Sequence, residues 1–185
     1  MEDIVQHLVP ETEAQEVLRS LLESHPELKK EADRIATSLI ADTSFEAIAE
    51  EVKWDLEEPD LEDLNSRAGR HRSGYVDSTD AAYEILREAL EPTIQEMQRQ
   101  IELGLEREAL ETCKGLILGL YGVRDKKGDL CLAWAPDFSE NTAEEILSEW
   151  IGDPKRTGKK RSYPRSFIEQ HVPEWKSLFE RIIRS

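Results

Sequence analysis

Arginine is the residue type with the most chemistry to offer in this chain. Arg67, Arg70, His71 and Arg72 follow one another with no acid between Leu64 and Val76, and Tyr75 closes the run. Guanidinium groups make paired hydrogen bonds to carboxylates and phosphates. The run is therefore a candidate site for an anion or a protein partner, set against plain neutralisation of the acidic helices beside it. A second basic stretch holds Lys155, Arg156, Lys159, Lys160, Arg161 and Arg165, with Tyr163 inside it. An aromatic ring among bases is how single-stranded nucleic acid is held, and a surface loop is the plainer alternative. Carboxylates are plentiful, as at Glu50, Glu51, Asp55 and Glu58. Helical spacing puts Glu51 and Asp55 on one face, a pair able to hold a divalent cation or exchange a proton, although most such clusters are solvated faces.

Other chemistries lack their residues. Cys113 and Cys131 belong to no C-x-x-C pair, and His7, His25, His71 and His171 are scattered, so no zinc pattern forms. There is no G-x-S-x-G elbow and no glycine-rich phosphate loop. No catalytic residue, metal or cofactor is assigned from the sequence.

Charge sets the wider frame. In 185 residues, 40 acids oppose 24 bases, a formal charge of −16. The imbalance is polarised: residues 151–185 carry a net +5, leaving −21 on residues 1–150. A field of this sign repels polyanions and favours a partner with a basic segment, including the chain's own basic tail in a homodimer. The longest apolar run, Leu116 to Val123, falls far short of the roughly 20 residues a membrane helix needs. The acidic start at Met1-Glu2-Asp3-Ile4 reads as neither a secretory signal nor a transit peptide, and two cysteines fit a cytoplasmic, reducing compartment, with a bacterial or archaeal source expected.

The elements that must position these residues are helices. Val17, Leu18, Leu21 and Leu22 recur at helical spacing, and His25-Pro26 interrupts them. Leu28, Ala32, Ile35, Ala36 and Leu39 form a second stripe, and Phe45, Ile48, Ala49, Val52 and Leu56 a third, behind a capping box at Thr43-Ser44-Phe45-Glu46. Residues 66–74 read as a polar loop or frayed helix end. A helix capped near Ser78-Thr79-Asp80 follows, Pro92 starts or kinks the next, and Gly104 marks a joint. The stretch from Glu106 to Tyr121 is the most apolar, so it belongs at the centre. Gly115 and Gly119, four apart on one face, invite a close neighbour. Residues 130–134 fit a strand or a helix equally. Asn141-Thr142 with Glu145 predicts a capped helix carrying Ile146, Leu147, Trp150 and Ile151. Phe167 and Ile168 open a short helix before a last one with Trp175, Leu178, Phe179, Ile182 and Ile183. Val17–Glu23 and Ile85–Glu91 are alike enough to suggest a degenerate repeat.

Residues 75–129 also carry a resemblance. Tyr75-Val76-Asp77, a long helix pair, Glu108-Ala109-Leu110-Glu111 before a leucine-rich stretch, and the turn Asp125-x-x-Gly128 resemble the helical region that follows the zinc finger in bacterial SWIM zinc-finger proteins, and a related family without the finger. Pro26-Glu27-Leu28 fits the stretch upstream. The cysteines and histidine of a SWIM finger are absent here, so no zinc or DNA-binding residue carries over. The resemblance implies a helical scaffold for interactions.

The sequence thus predicts an all-α protein, either serial TPR- or HEAT-like hairpins or an irregular helical bundle. Residues 1–152 would form an acidic helical domain, with 153–185 a basic loop and terminal helices packed on it. The expected function is non-enzymatic protein binding. A regulatory nucleic-acid module using residues 154–165 is the alternative, and a carboxylate-metal hydrolase the third.

Overall fold

A computed structural model describes residues 11–32, 44–71, 74–126, 128, 130–152 and 160–184. The chain divides into two compact units, Met1–Asp42 and Thr43–Ser185. In the first, helix α1 spans Glu11–Ser24 and a 3-10 turn spans Pro26–Leu28. Proline fits that turn because its missing N–H would have no helical partner there. Val17 and Leu18 of the expected apolar stripe are each 52% exposed. Ile35, Ala36 and Leu39 of the second stripe lie outside the described residues.

The second unit is built on helices α2 (Phe45–Glu57), α3 (Leu61–Arg67), α4 (Ser78–Glu102), α5 (Glu106–Val123), α6 (Phe138–Ile151), α7 (Arg165–His171) and α8 (Lys176–Arg184). A two-stranded antiparallel ribbon, β1 (Gly69–His71) and β2 (Gly74–Val76), interrupts them. The all-α expectation holds, and the arrangement is a bundle. The apolar helix α5 sits at its centre, packed against α2, α4 and α6. Its closest partner is α2, which precedes it by two helices and the ribbon, whereas a linear stack of hairpins brings only neighbours together. No helix among the described residues is long and apolar enough to cross a membrane.

The α2–α5 crossing depends on absent side chains. A Cβ on Gly115 would stand 2.5 Å from Ile48 Cβ, and one on Gly119 would stand 2.6 Å from Val52 Cβ. Bare backbone at these two positions lets Ile48 and Val52 sink fully into the core, a burial worth about 1.5–3 kcal/mol for each side chain. The α4–α5 joint is equally specific. Gly104 takes a φ of +74°, with Leu105 N donating to Gln100 O at 2.9 Å and Gly104 N to Ile101 O at 3.1 Å. This is a Schellman closure, which a residue with a Cβ enters only under strain. Across the joint, buried Thr112 donates its hydroxyl to Gln100 Oε1 at 2.8 Å.

Several sequence expectations are corrected. Pro92 starts no new helix but lies inside the 25-residue α4. It occupies an exposed position, and the carbonyl that loses its helical donor belongs to Glu88, also an exposed residue. The similarity of Val17–Glu23 to Ile85–Glu91 therefore marks no repeated hairpin: α1 stops at Ser24 before its proline and α4 runs through its own. The α4 cap is Asp77, one residue before the expected Ser78, with its carboxylate accepting from Thr79 N at 2.8 Å. Helix α6 begins at Phe138, ahead of Asn141-Thr142. Residues 130–134 are neither plain strand nor α-helix: Leu130 bridges to Asp60, and Cys131–Trp134 is a 3-10 turn.

The terminal helices α7 and α8 contribute Phe167, Ile168 and Phe179 to the same core as α5. Gly115→Ala and Gly119→Ala should each lower stability by about 1–3 kcal/mol in urea denaturation, because the overpacking exceeds the gain in helix propensity. Gly122→Ala should be neutral or raise stability by up to about 1 kcal/mol, because its new methyl meets only the flexible end of Lys53.

Candidate partner-binding surfaces

The expected loop at 66–74 is largely ordered structure. Asp60 caps α3, accepting from Glu62 N at 2.7 Å and Asp63 N at 3.2 Å, while the Asp63 carboxylate accepts from Asp60 N at 3.0 Å. The chain leaves α3 through Ala68 and enters the ribbon, with Gly69 facing Val76, Arg70 facing Tyr75 and His71 facing Gly74. Gly69 and Gly74 both adopt positive φ, at 102° and 140°, a region that glycine enters without steric cost. Its brevity and polarity left no alternating pattern to read.

The arginine run separates into different roles. Arg67 Nη2 lies 2.6 Å from Glu88 Oε2, and this bond holds the Glu88 carboxyl below its usual range and raises Arg67. Arg67 ties α3 to α4. Arg70 and Tyr75 face each other across the ribbon, and such cross-strand partners project from the same face. Arg70 is exposed and Tyr75 is 74% exposed. His71 lies on β1, and Arg72 lies outside the described residues.

Beneath Tyr75 an open groove of about 670 Å³ runs between the ribbon and the first turns of α4, reaching α6. Its lining includes Val76, Asp80, Tyr83, Glu84 and Asn141. Tyr83 forms a rigid part of the floor. Its ring meets Phe138 edge-on at 5.2 Å, and its hydroxyl accepts from Asn141 Nδ2 at 2.9 Å. Asn141 is no helix cap because it lies inside α6, three residues after its start, and its amide bonds across the α4–α6 interface.

The basic stretch divides as well. Lys155, Arg156 and Lys159 lie outside the described residues. Lys160 is exposed, and exposed Arg165 opens α7. Arg161 turns inward: its guanidinium sits 5.6 Å from the Trp150 ring, and Nη1 donates to Trp150 O at 3.3 Å. Tyr163, expected as a stacking platform, is 4% exposed and packs edge-on against Phe167 at 5.9 Å. Burial pushes its phenol well above the ordinary value. The core claims this ring, so no base can stack on it.

The remaining chemistry-bearing residues serve packing. Cys113 and Cys131 are both buried free thiols, and burial raises each away from the reactive thiolate. His171 stacks on Phe167 at 4.7 Å, and His25 pairs with Glu27 at 3.1 Å. Among the described residues no three His, Cys, Asp or Glu side chains gather at metal-binding geometry.

One surface residue escaped the sequence reading. Trp54 follows Val52 by two positions, about 200° around a helix, so it lies off the Ile48–Val52–Leu56 stripe and is 74% exposed. That offset was the available signal. The groove gave none, because its walls come from β2, α4 and α6.

No family model, curated protein or solved structure matches this chain.

The acidic face of α2 carries a pH signature. Partial burial, then Glu51 and Glu58, raise the Asp55 carboxyl above its ordinary value of 3.8. The folded state holds this proton more tightly than the unfolded chain, so the ionised group opposes folding above that range and the opposition fades as pH falls through it. Asp55→Asn should therefore raise the melting temperature at pH 7, and the difference should close below about pH 4.

Proposed function

We propose that this protein is a non-enzymatic helical scaffold that binds another protein through the β1–β2 ribbon. The carrying observation is the Arg70–Tyr75 pair, held side by side on an exposed two-stranded ribbon above a groove. Tyrosine and arginine dominate the energetics of protein interfaces, since each joins a large contact area to polar groups. Asp77 and the Arg67–Glu88 bond anchor both ends of the ribbon to α4, so little order has to be gained when a partner docks.

A binding role also suits the groove. The hydroxyl on its floor, that of Tyr83, is engaged with Asn141 rather than with a base. The charge of −16 favours a partner that presents a basic segment. The likeness of residues 75–129 to the helical region after the SWIM finger supports the same scaffold class. A cytoplasmic setting is part of this proposal, supported by two thiols that remain unpaired.

Affinity capture from the source cells with wild type and Tyr75→Ala tests the reading. An exposed ring can be removed without unfolding the chain, which circular dichroism checks. The wild type should retain a partner that Tyr75→Ala binds about tenfold or more weakly. Absence of any partner, with a strictly monomeric protein in sedimentation, overturns it.

A further inference from the structure

Helix α2 presents a second surface, independent of the ribbon. Trp54 stands three-quarters exposed on its outer side. On an α-helix the neighbours of position 54 are positions three and four away, and here all four are glutamates: Glu50, Glu51, Glu57 and Glu58. Two of them are engaged, Glu50 by Lys53 at 2.5 Å and Glu57 by Lys126 at 3.1 Å. Among the described residues no cation pairs with Glu51, Asp55 or Glu58, and Asp55 feels the repulsion of the other two. The face holds a large ring and an uncompensated line of negative charge.

We propose that this face docks an arginine- or lysine-bearing segment of a partner protein, with one cationic side chain over the Trp54 indole and others on Glu51, Asp55 and Glu58. Cations bind tryptophan faces more strongly than those of other aromatic rings, and arginine also stacks on them. The spacing suits an extended chain. Residues 51, 55 and 58 rise along α2 by about 6 Å and then about 4.5 Å, shorter than the roughly 6.5 Å between alternate side chains of a strand by no more than long, flexible arginine or lysine side chains can span. Three carboxylates strung along one helix do not converge on a point, as a divalent cation requires. A polyanion would meet repulsion.

The probe is a short arginine–glycine peptide, titrated into the full chain by calorimetry at low and moderate salt. Trp54→Ala changes no charge, so diffuse attraction to an acidic protein survives it, whereas docking on this face weakens about tenfold or more. Trp54→Phe should retain part of the affinity by keeping a ring. The pair Glu51→Gln and Glu58→Gln should weaken binding and flatten its salt dependence, and the charge-matched pair Glu13→Gln and Glu23→Gln should not. Equal affinity for wild type and Trp54→Ala overturns the proposal, as does equal loss in both glutamine pairs. Absence of peptide binding, with self-association that Trp54→Ala abolishes, also overturns it and assigns the face to a second copy. Loss of partner capture in Tyr75→Ala alone leaves these results unchanged, so the two surfaces are judged separately.

Discussion

Bare backbone at Gly115 and Gly119 is the constraint on which the second unit turns. Where α5 has no side chains, α2 lies against its backbone, and Ile48 and Val52 interlock with it at distances that a single methyl would violate. This contact fixes the rotation of α2 about its own axis. With Ile48, Val52 and Leu56 committed inward, Trp54 and the carboxylates beside it have nowhere to point but outward. The crossing that builds the core thus also sets what α2 shows to the outside. Glycine pays for this with backbone entropy of about 1 kcal/mol per position in a helix, and the buried area it permits is the compensation.

The ribbon depends on a different set of ties. It is too short to be stable alone and borrows its order from α3 and α4. Asp60 and Asp63 fix the start of α3, Arg67 joins that helix to Glu88, and Asp77 caps α4 immediately after β2. Held at both ends, the ribbon keeps Tyr75 away from the core although its neighbour Val76 packs against it. The polar contacts that achieve this are half-exposed ion pairs and caps, individually weak. They act through position: each removes freedom from a segment that has little apolar surface of its own.

Much of the architecture was legible because apolar spacing states it directly. The central place of α5, the stripes of α2 and α6, the close approach at Gly115 and Gly119 and the joint at Gly104 follow from local pattern and glycine placement. The failures share a cause. Pro92 sits inside α4 because packing of Leu90, Ile94 and Met97 outweighs the loss of one exposed hydrogen bond. Tyr163, read among lysines and arginines as a surface residue, is drawn into the core by Phe167 and Phe179. Asn141, a strong cap by type, is engaged by Tyr83 from another helix. Each outcome was decided by packing in the assembled core or across helices, not by the local preference of the residue.

By itself the amino-acid order determined that helices form, roughly where they run, which one is most buried and that the exterior is strongly acidic. These are consequences of periodicity and composition, which act over one or two turns. Only the tertiary structure decided which polar residues are spent on the fold and which remain outside it: Arg67, Arg161 and Tyr163 are engaged within, while Trp54, Arg70 and Tyr75 stand exposed. The physical reason is that a side chain's availability depends on the neighbours that assembly brings to it, and many of those neighbours stand on other helices.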